Sequence, residues 1–436
     1  MPRSAPLLLC LLGLLLAAAP ARADSLPSWG TGQSRGEDLV ISLVTFSPGD
    51  DVASWWGHGS LVVEDRRLGE QRLYNYGMFS FDSTMLGRYA MGRLEFWVDD
   101  ASAALTFRAY QRLNRDVRVQ QLNLTPAQSL EVARLLAENV LPQNREYLYH
   151  HYNDNCVTRL RDMVDRAVGG QFRQAASAPG RMTLREHTRR YTAVSPPMSV
   201  LLDFLMNDEI DRPITRWEEA FLPDELERQV GEVQVVGADG QKVPLAAKSW
   251  TYFKSDRPAP PAEPPNYGPW MLALGLGVGA SAMGLGYWGR KGGRLPRVLL
   301  GLANVVLGLV LGIPGTVLLV MWTVTDHTVT FGNENLFLAN PMTLLAVPLG
   351  VMFAWGSAKA REYLRVLWLM LAVSGGLGLV LKVLPLFNQD NWRLIAFILP
   401  ISVGFAGAFY LDRLLARASA SGRAPGEPLS SSLKAP

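Results

Sequence analysis

Apolar residues are distributed along this chain in two regimes. Up to about residue 256 they come in short runs broken by polar turns; beyond residue 270 they form long, nearly uninterrupted stretches. In the first regime, "DLVISLVTF" (38–46) is a β-rich apolar run and predicts a strand. "SLVVED" (60–65) and "RLYNYGMF" (72–79) predict two more, joined by a hairpin turn at "RRLGEQ". "RLEFWVDD" (93–100), "ALTFRAY" (104–110) and "DVRVQQLNL" (116–124) continue the strand pattern. The pattern then turns helical at "TPAQSLEVARLLAENVLP", with Thr125 as N-cap, Pro126 at the first helical position and Gln128 closing a capping box. A second helix is predicted from about Asn155, because Val157, Leu160, Val164 and Ala167 or Val168 recur at spacings of three and four; Asp154 or Asn155 supplies its N-cap. The first regime therefore reads as an α+β domain.

The second regime begins after a Pro-rich spacer, "RPAPPAEPPNYGP" (257–269), expected to be extended and semi-rigid. Five apolar stretches follow, at 270–288, 298–322, 341–357, 366–387 and 394–412, each near the ~20 residues needed to cross a hydrocarbon core. The third is short and contains Pro348. Basic residues cluster in alternate loops: Arg290, Lys291, Arg294 and Arg297, then Lys359, Arg361 and Arg365, then Arg413 and Arg417. Basic loops stay cytoplasmic, so the α+β domain faces outward. Residues 1–23 read as a secretory signal, with Arg3, the apolar run Leu7–Ala19 and a small-residue site at Ala21-Arg22-Ala23; they demand the same orientation. The expected organisation is a signal peptide (1–23), a periplasmic domain (24–256), the linker (257–269), a membrane domain (270–412) and a disordered cytoplasmic tail (413–436). The formal net charge of +3 is largely this topological excess, and no basic patch points to nucleic acid.

Cleavage after Ala23 would remove Cys10 and leave Cys156 as a single thiol in an oxidising space. It stands in the first turn of the second predicted helix, where free N–H groups and the helix dipole favour an anion. A depression of about 2 units from the free thiol's ~8.5 would make thiolate the majority form at neutral pH. The competing reading is a small buried hydrophobe, against which stand the polar flanks "NDN" and "TRLR". A nucleophilic thiol needs a base. His58, in "SWWGHGSLVVED", lies between glycines at the start of a strand, which admits a substrate and fixes the ring. His150 and His151 precede the thiol helix, His187 reads as a solvated helix residue, and His327 lies in an outer loop. No metal-ligand spacing is present.

"WWGHGSLVVED", "YNDNCVTRLRD" about a hundred residues later, and "RPITRWEEAFLPDEL" (212–226) together resemble the Lnb family of bacterial lipoprotein N-acyltransferases. The segment "DHTVTFGNENLFLANP" (326–341) is similar to that family's membrane part. The resemblance implies a periplasmic domain similar to circularly permuted NlpC-type papain-like enzymes, with Cys156 as nucleophile and His58 as its base. A third, orienting group is expected on the following strand, with Asn75 the first choice and Tyr76 the competitor; Asp154 and Asn155 are further orienting or oxyanion candidates. Trp55 and Trp56 either face lipid or pack in the core. The implied reaction moves an acyl chain from a glycerophospholipid, through a Cys156 thioester, to the α-amino group of a diacylglyceryl-cysteine lipoprotein in the bacterial inner membrane, without metal or cofactor. A membrane-anchored cysteine peptidase acting on peptidoglycan and a non-catalytic envelope scaffold are the alternatives. "MSVLLDFLM" (198–206) either packs in the core or meets the membrane, with the core the first choice; in the membrane part Asn333, Glu334, Asn335 and Asn340 either cap helices, the first choice, or hold a lipid headgroup, and Lys382 is expected to snorkel.

Overall fold

A computed structural model describes residues 26–80, 83–237, 239–290 and 292–421. The expected signal peptide and the tail beyond residue 421 lie outside the described residues. The chain forms two compact units: residues up to Ala193 together with Arg212–Glu263, and Val194–Asp211 together with the chain from Pro264 onward.

The first unit is built on a seven-stranded antiparallel sheet ordered β6-β4-β3-β2-β1-β5-β9. The strands are β1 (Leu39–Phe46), β2 (His58–Asp65), β3 (Glu70–Met78), β4 (Glu95–Ala101), β5 (Val117–Leu122), β6 (Glu146–Leu148) and β9 (Ala246–Phe253), with β7 (Gln234–Val236) and β8 (Lys242–Pro244) as a separate hairpin. The apolar runs of β1 and β2 are continuous because both faces of the sheet are covered. Ile41, Leu43, Leu61 and Val63 pack on one face with Leu136, Val157, Leu160 and Val164 of the helices Pro126–Asn139 and Cys156–Ala167. Val44, Phe46, Val62 and Val119 pack on the other with Ala103, Phe107 and Tyr110. The β2–β3 hairpin is closed by Asp65, whose carboxylate accepts the N–H groups of Arg67 (2.9 Å) and Leu68 (2.8 Å).

One element differs in kind from the sequence reading. Residues 104–110 lie in a helix, Ala103–Arg112, not a strand. Ser102 caps it by accepting the Leu105 N–H at 3.4 Å, and Ala103, Phe107 and Tyr110 fall at helical spacing on the face that meets the sheet. The run is apolar enough for either structure, and its alanines and cap decide for helix. The Thr125 capping box and the helix start beside Asn155 stand as expected.

The second unit is helical. Gly268–Gly289, Arg294–Val324, Ala358–Leu381 and Trp392–Tyr410 are long and apolar enough to cross a membrane; a further pair, Thr328–Phe337 with Pro341–Ala354, is bent by 56°. The second member of that pair, Pro341–Ala354, covers the third apolar stretch expected at 341–357. Asn340 accepts the Met342 N–H at 3.1 Å and Pro341 opens a fresh turn, so the helix restarts there rather than continuing.

The segment Val194–Asp211, read from sequence as part of the outer domain, packs within this second unit. Phe204 lies among Leu311, Leu318, Leu338, Leu394 and Ile398. The Asn207 N–H donates to the Val329 carbonyl at 2.7 Å, and Asn335 Nδ2 to that of Phe204 at 2.9 Å. Lys382 does not snorkel. It is buried and donates to Glu334, whose backbone N–H in turn donates to Gln389 Oε1 at 2.9 Å. Lys382→Met would strand the Glu334 carboxylate and is expected to cost about 3–5 kcal/mol. Thermal unfolding of the purified protein checks this, and Glu334→Gln added to Lys382→Met is expected to recover most of the loss.

Candidate active site

The thiol helix begins at Cys156 because Asn155 stops the preceding chain and opens the turn. Asn155 Oδ1 accepts the N–H groups of Val157 (2.8 Å) and Thr158 (2.9 Å), and Thr158 Oγ1 accepts the Asn155 N–H (2.7 Å). Its Nδ2 donates to the carbonyls of His151 (2.8 Å) and Phe221 (3.1 Å). The whole amide is engaged in holding the helix start, so Asn155 is a cap and not an oxyanion donor. Asp154 is likewise committed, to a two-point ion pair with Arg159. Asn155→Ala removes a buried cap and leaves its carbonyl partners unmet; it is expected to cost about 2 kcal/mol in a denaturant titration of the protein.

Two glycines bring the sheet to the thiol. β3 has an irregularity between Tyr76 and Met78, and Gly77 adopts φ +87° there; a Cβ on it would lie 3.3 Å from Cys156 Cβ and 3.9 Å from Tyr147 Oη. Gly59, immediately after His58 on β2, comes so close to the thiol helix that a Cβ would fall 2.8 Å from Leu160 Cδ1. At this spacing the Gly59 N–H acts on the Cys156 sulfur, and with the N–H groups of Cys156 and Val157 it favours the thiolate. His58 is therefore joined by one peptide to a hydrogen-bond donor of the thiol.

His58 Nε2 is hydrogen-bonded to Asn75 Oδ1. An amide oxygen can only accept, so Nε2 carries the proton and Nδ1 is the basic nitrogen. Asn75 is fixed in turn by Nδ2, which donates to Met78 Sδ at 3.2 Å. The imidazole lies nearly parallel to Phe46 (centroids 6.1 Å, 15°) and Tyr110 (6.4 Å, 7°), and those two rings stack at 3.7 Å. Tyr76, the competitor to Asn75, belongs to the apolar cluster against which Cys156 also packs, and its hydroxyl accepts from Asn139 Nδ2 at 2.7 Å. Of the two, Asn75 is the one hydrogen-bonded to His58, on the other face of β3 from Tyr76.

The electrostatics correct one expectation. Burial pushes the Cys156 thiol up to about 11, although the three backbone N–H groups and Arg115 pull the other way. Burial also lowers His58 to about 4, with Asn75 opposing and Arg115 assisting. Desolvation exceeds the field of the helix start, so the resting pair is a neutral thiol and a neutral imidazole, not a preformed thiolate. The thiolate fraction then climbs only as pH approaches 11. Alkylation of Cys156 by iodoacetamide is expected to accelerate steadily from pH 6 to pH 10 in stopped-flow measurements; a plateau reached below pH 7 would contradict this.

Of the tryptophans, Trp55 is buried, with Nε1 donating to the Asp50 carbonyl at 3.1 Å, whereas Trp56 is half-exposed, its ring 6.2 Å from Trp55. His187 is not solvated. It is fully buried, with Nε2 against Glu219 Oε1 (2.8 Å) and Nδ1 accepting from Arg190 Nη1 (3.0 Å). His187, Glu219 and Glu225 come close enough together to hold a cation. Arg181 and Arg228 already pair with Glu225 at 2.7 and 2.8 Å, and the cluster reads as a hydrogen-bonded brace. The sequence reading passed over four residues around the thiol: Tyr110, Arg115, Tyr147 and Tyr149, each within electrostatic reach of Cys156. None carries a motif; only the fold collects them.

Fold and site together define a class: a multi-pass membrane protein whose α+β domain sets a single cysteine at a helix start beside a histidine–asparagine pair. The Lnb N-terminal periplasmic domain matches residues 25–190, and the Lnb transmembrane domain matches residues 293–405. The chain belongs to the Lnb family, and its first unit is periplasmic. No curated protein and no solved structure matches it.

Proposed function

We propose that this protein is a lipoprotein N-acyltransferase of the bacterial inner membrane, acting by ping-pong acyl transfer through Cys156. The observation that carries the reading is the shared position of the thiol and the His58–Asn75 pair around Gly59 and Gly77. With both groups neutral at rest, the proton moves during attack. Cys156 Sγ adds to an ester carbonyl of a glycerophospholipid while His58 Nδ1 takes its proton. The tetrahedral oxyanion is met by the backbone N–H of Cys156, which Asn155 Oδ1 does not take. It collapses as the C–O bond breaks, the lysophospholipid oxygen takes the proton from His58, and an acyl thioester remains. The uncharged α-amine of a diacylglyceryl-cysteine then adds to the thioester carbonyl and gives a proton to His58. The amide forms, and the departing sulfur recovers that proton. Every atom is accounted for by thiol, imidazole, donor and acceptor.

Rescue of a bacterial strain depleted of its own lipoprotein N-acyltransferase tests the reading. Growth with triacylated lipoproteins is the expected result. Release of muropeptides from sacculi without lipoprotein acylation would favour the peptidoglycan peptidase instead, and growth sustained by Cys156→Ser would favour a scaffold.

A further inference from the structure

Arg115 is a buried cation without a hydrogen-bonding counter-ion. Its side chain is held rigidly: Nε donates to the Ser47 carbonyl at 2.6 Å, and the guanidinium lies 4.7 Å over the Tyr110 ring. The residue is 7 % exposed, and Nη2 is fully enclosed with no hydrogen-bond partner. Asp51, the carboxylate that acts on it through space, spends both oxygens on Ser54, on its N–H (3.1 Å) and its hydroxyl (2.8 Å). A buried charge left in this state is costly and persists where a ligand completes it. The Tyr110 ring beneath the guanidinium lies parallel to the His58 imidazole with centroids 6.4 Å apart, which places Arg115 one ring away from the base.

We propose that the Arg115 guanidinium is the recognition point for an anionic phosphate group of the acyl donor, holding the phosphodiester of a glycerophospholipid while its ester lies at Cys156. This rests on the acyl-transfer reading above. A guanidinium suits the task because it cannot lose its proton and offers fixed donors to phosphate oxygens. A phosphodiester stays anionic throughout the working pH range, whereas the amine acceptor brings no negative charge. Arg115 is then a specificity-determining residue: it selects phosphate-bearing donors over neutral glycerides.

The test measures binding without turnover, in full-length Cys156→Ala protein in nanodiscs. The probes are dihexanoyl-phosphatidylglycerol, neutral dihexanoylglycerol and inorganic phosphate. Arg115→Met is expected to weaken the phosphatidylglycerol by tenfold or more and to leave dihexanoylglycerol within about twofold, as loss of one hydrogen bond to a charged group predicts. Arg115→Lys, which keeps the charge but not the Ser47 anchor, is expected to fall between. Equal loss for charged and neutral lipids, or no loss at all, would overturn the proposal. Binding of inorganic phosphate with no preference for the phospholipid would also overturn it, assigning the site to a free anion. If Arg115-dependent lipid binding holds while wild-type protein never acylates Cys156, the transferase reading fails and the phosphate site stands.

Discussion

Cys156→Ala is expected to reduce acyl transfer to a diacylglyceryl-cysteinyl peptide by at least ~10³-fold, to the level of the uncatalysed background. No other thiol occurs among the described residues, and the backbone N–H groups of Gly59, Cys156 and Val157 act on this sulfur. Alanine keeps the helix start, because the cap belongs to Asn155 and its bonds run to backbone atoms of residues 157 and 158. Stability should therefore change by less than ~1 kcal/mol while turnover vanishes. The measurement is peptide acylation by mass spectrometry beside a denaturant titration of the same sample. Substantial turnover in a folded Cys156→Ala protein would contradict a covalent route.

The second large effect is expected at His58. His58→Ala removes the group that takes the thiol proton, and a thiol raised to about 11 does not ionise unaided near neutrality. A loss of about 10²–10⁴-fold is expected. Because the barrier without a base is thiol ionisation, the residual rate should climb with pH more steeply than in the wild type. Asn75→Ala leaves the imidazole in place but frees the tautomer now fixed by the Nε2–Oδ1 bond. Its loss should be smaller and appear mainly in kcat, and Asn75→Asp should shift the acid limb upward, since a carboxylate favours the imidazolium that burial now holds down to about 4. Absence of that shift in the pH profile would argue that Asn75 is a packing residue.

Much of the fold was legible, for identifiable reasons. The Thr125-Pro126-Gln128 cap and the Asn155 cap are local chemistry, written in consecutive residues and independent of the rest of the molecule. The apolar runs at β1 and β2 are long enough to signal buried strands. Residues 104–110 misled because their apolar spacing satisfies two periods, and only the Ser102 cap separates them. β6 and β9 escaped notice: β6 is three residues long, and the pattern of β9 is almost wholly exposed. "MSVLLDFLM" went to the wrong unit because an apolar helix does not state which core it enters.

The site divides the same way. Cys156 and His58 could be picked out because cysteine and histidine are rare and their surroundings polar or glycine-rich, whereas Asn75 was reached only through the family resemblance, with Tyr76 beside it. The ionisation of thiol and imidazole could not be read. The field of a helix start is visible in sequence, whereas the desolvation that outweighs it is a sum over neighbours from β2, β3, the helix that carries Tyr110 and the strand β6 that carries Tyr147. Arg115 was invisible for a related reason: an arginine among turn residues reads as solvated until its carbonyl anchor and ring partner are in place.

Intact-mass analysis of the purified protein incubated with phospholipid vesicles tests the covalent step most directly. The prediction is an added acyl mass on Cys156 that hydroxylamine removes and that a diacylglyceryl-cysteinyl peptide discharges with formation of its amide. A protein that remains unmodified while the peptide is acylated, or an adduct that persists in the presence of the peptide, would contradict it.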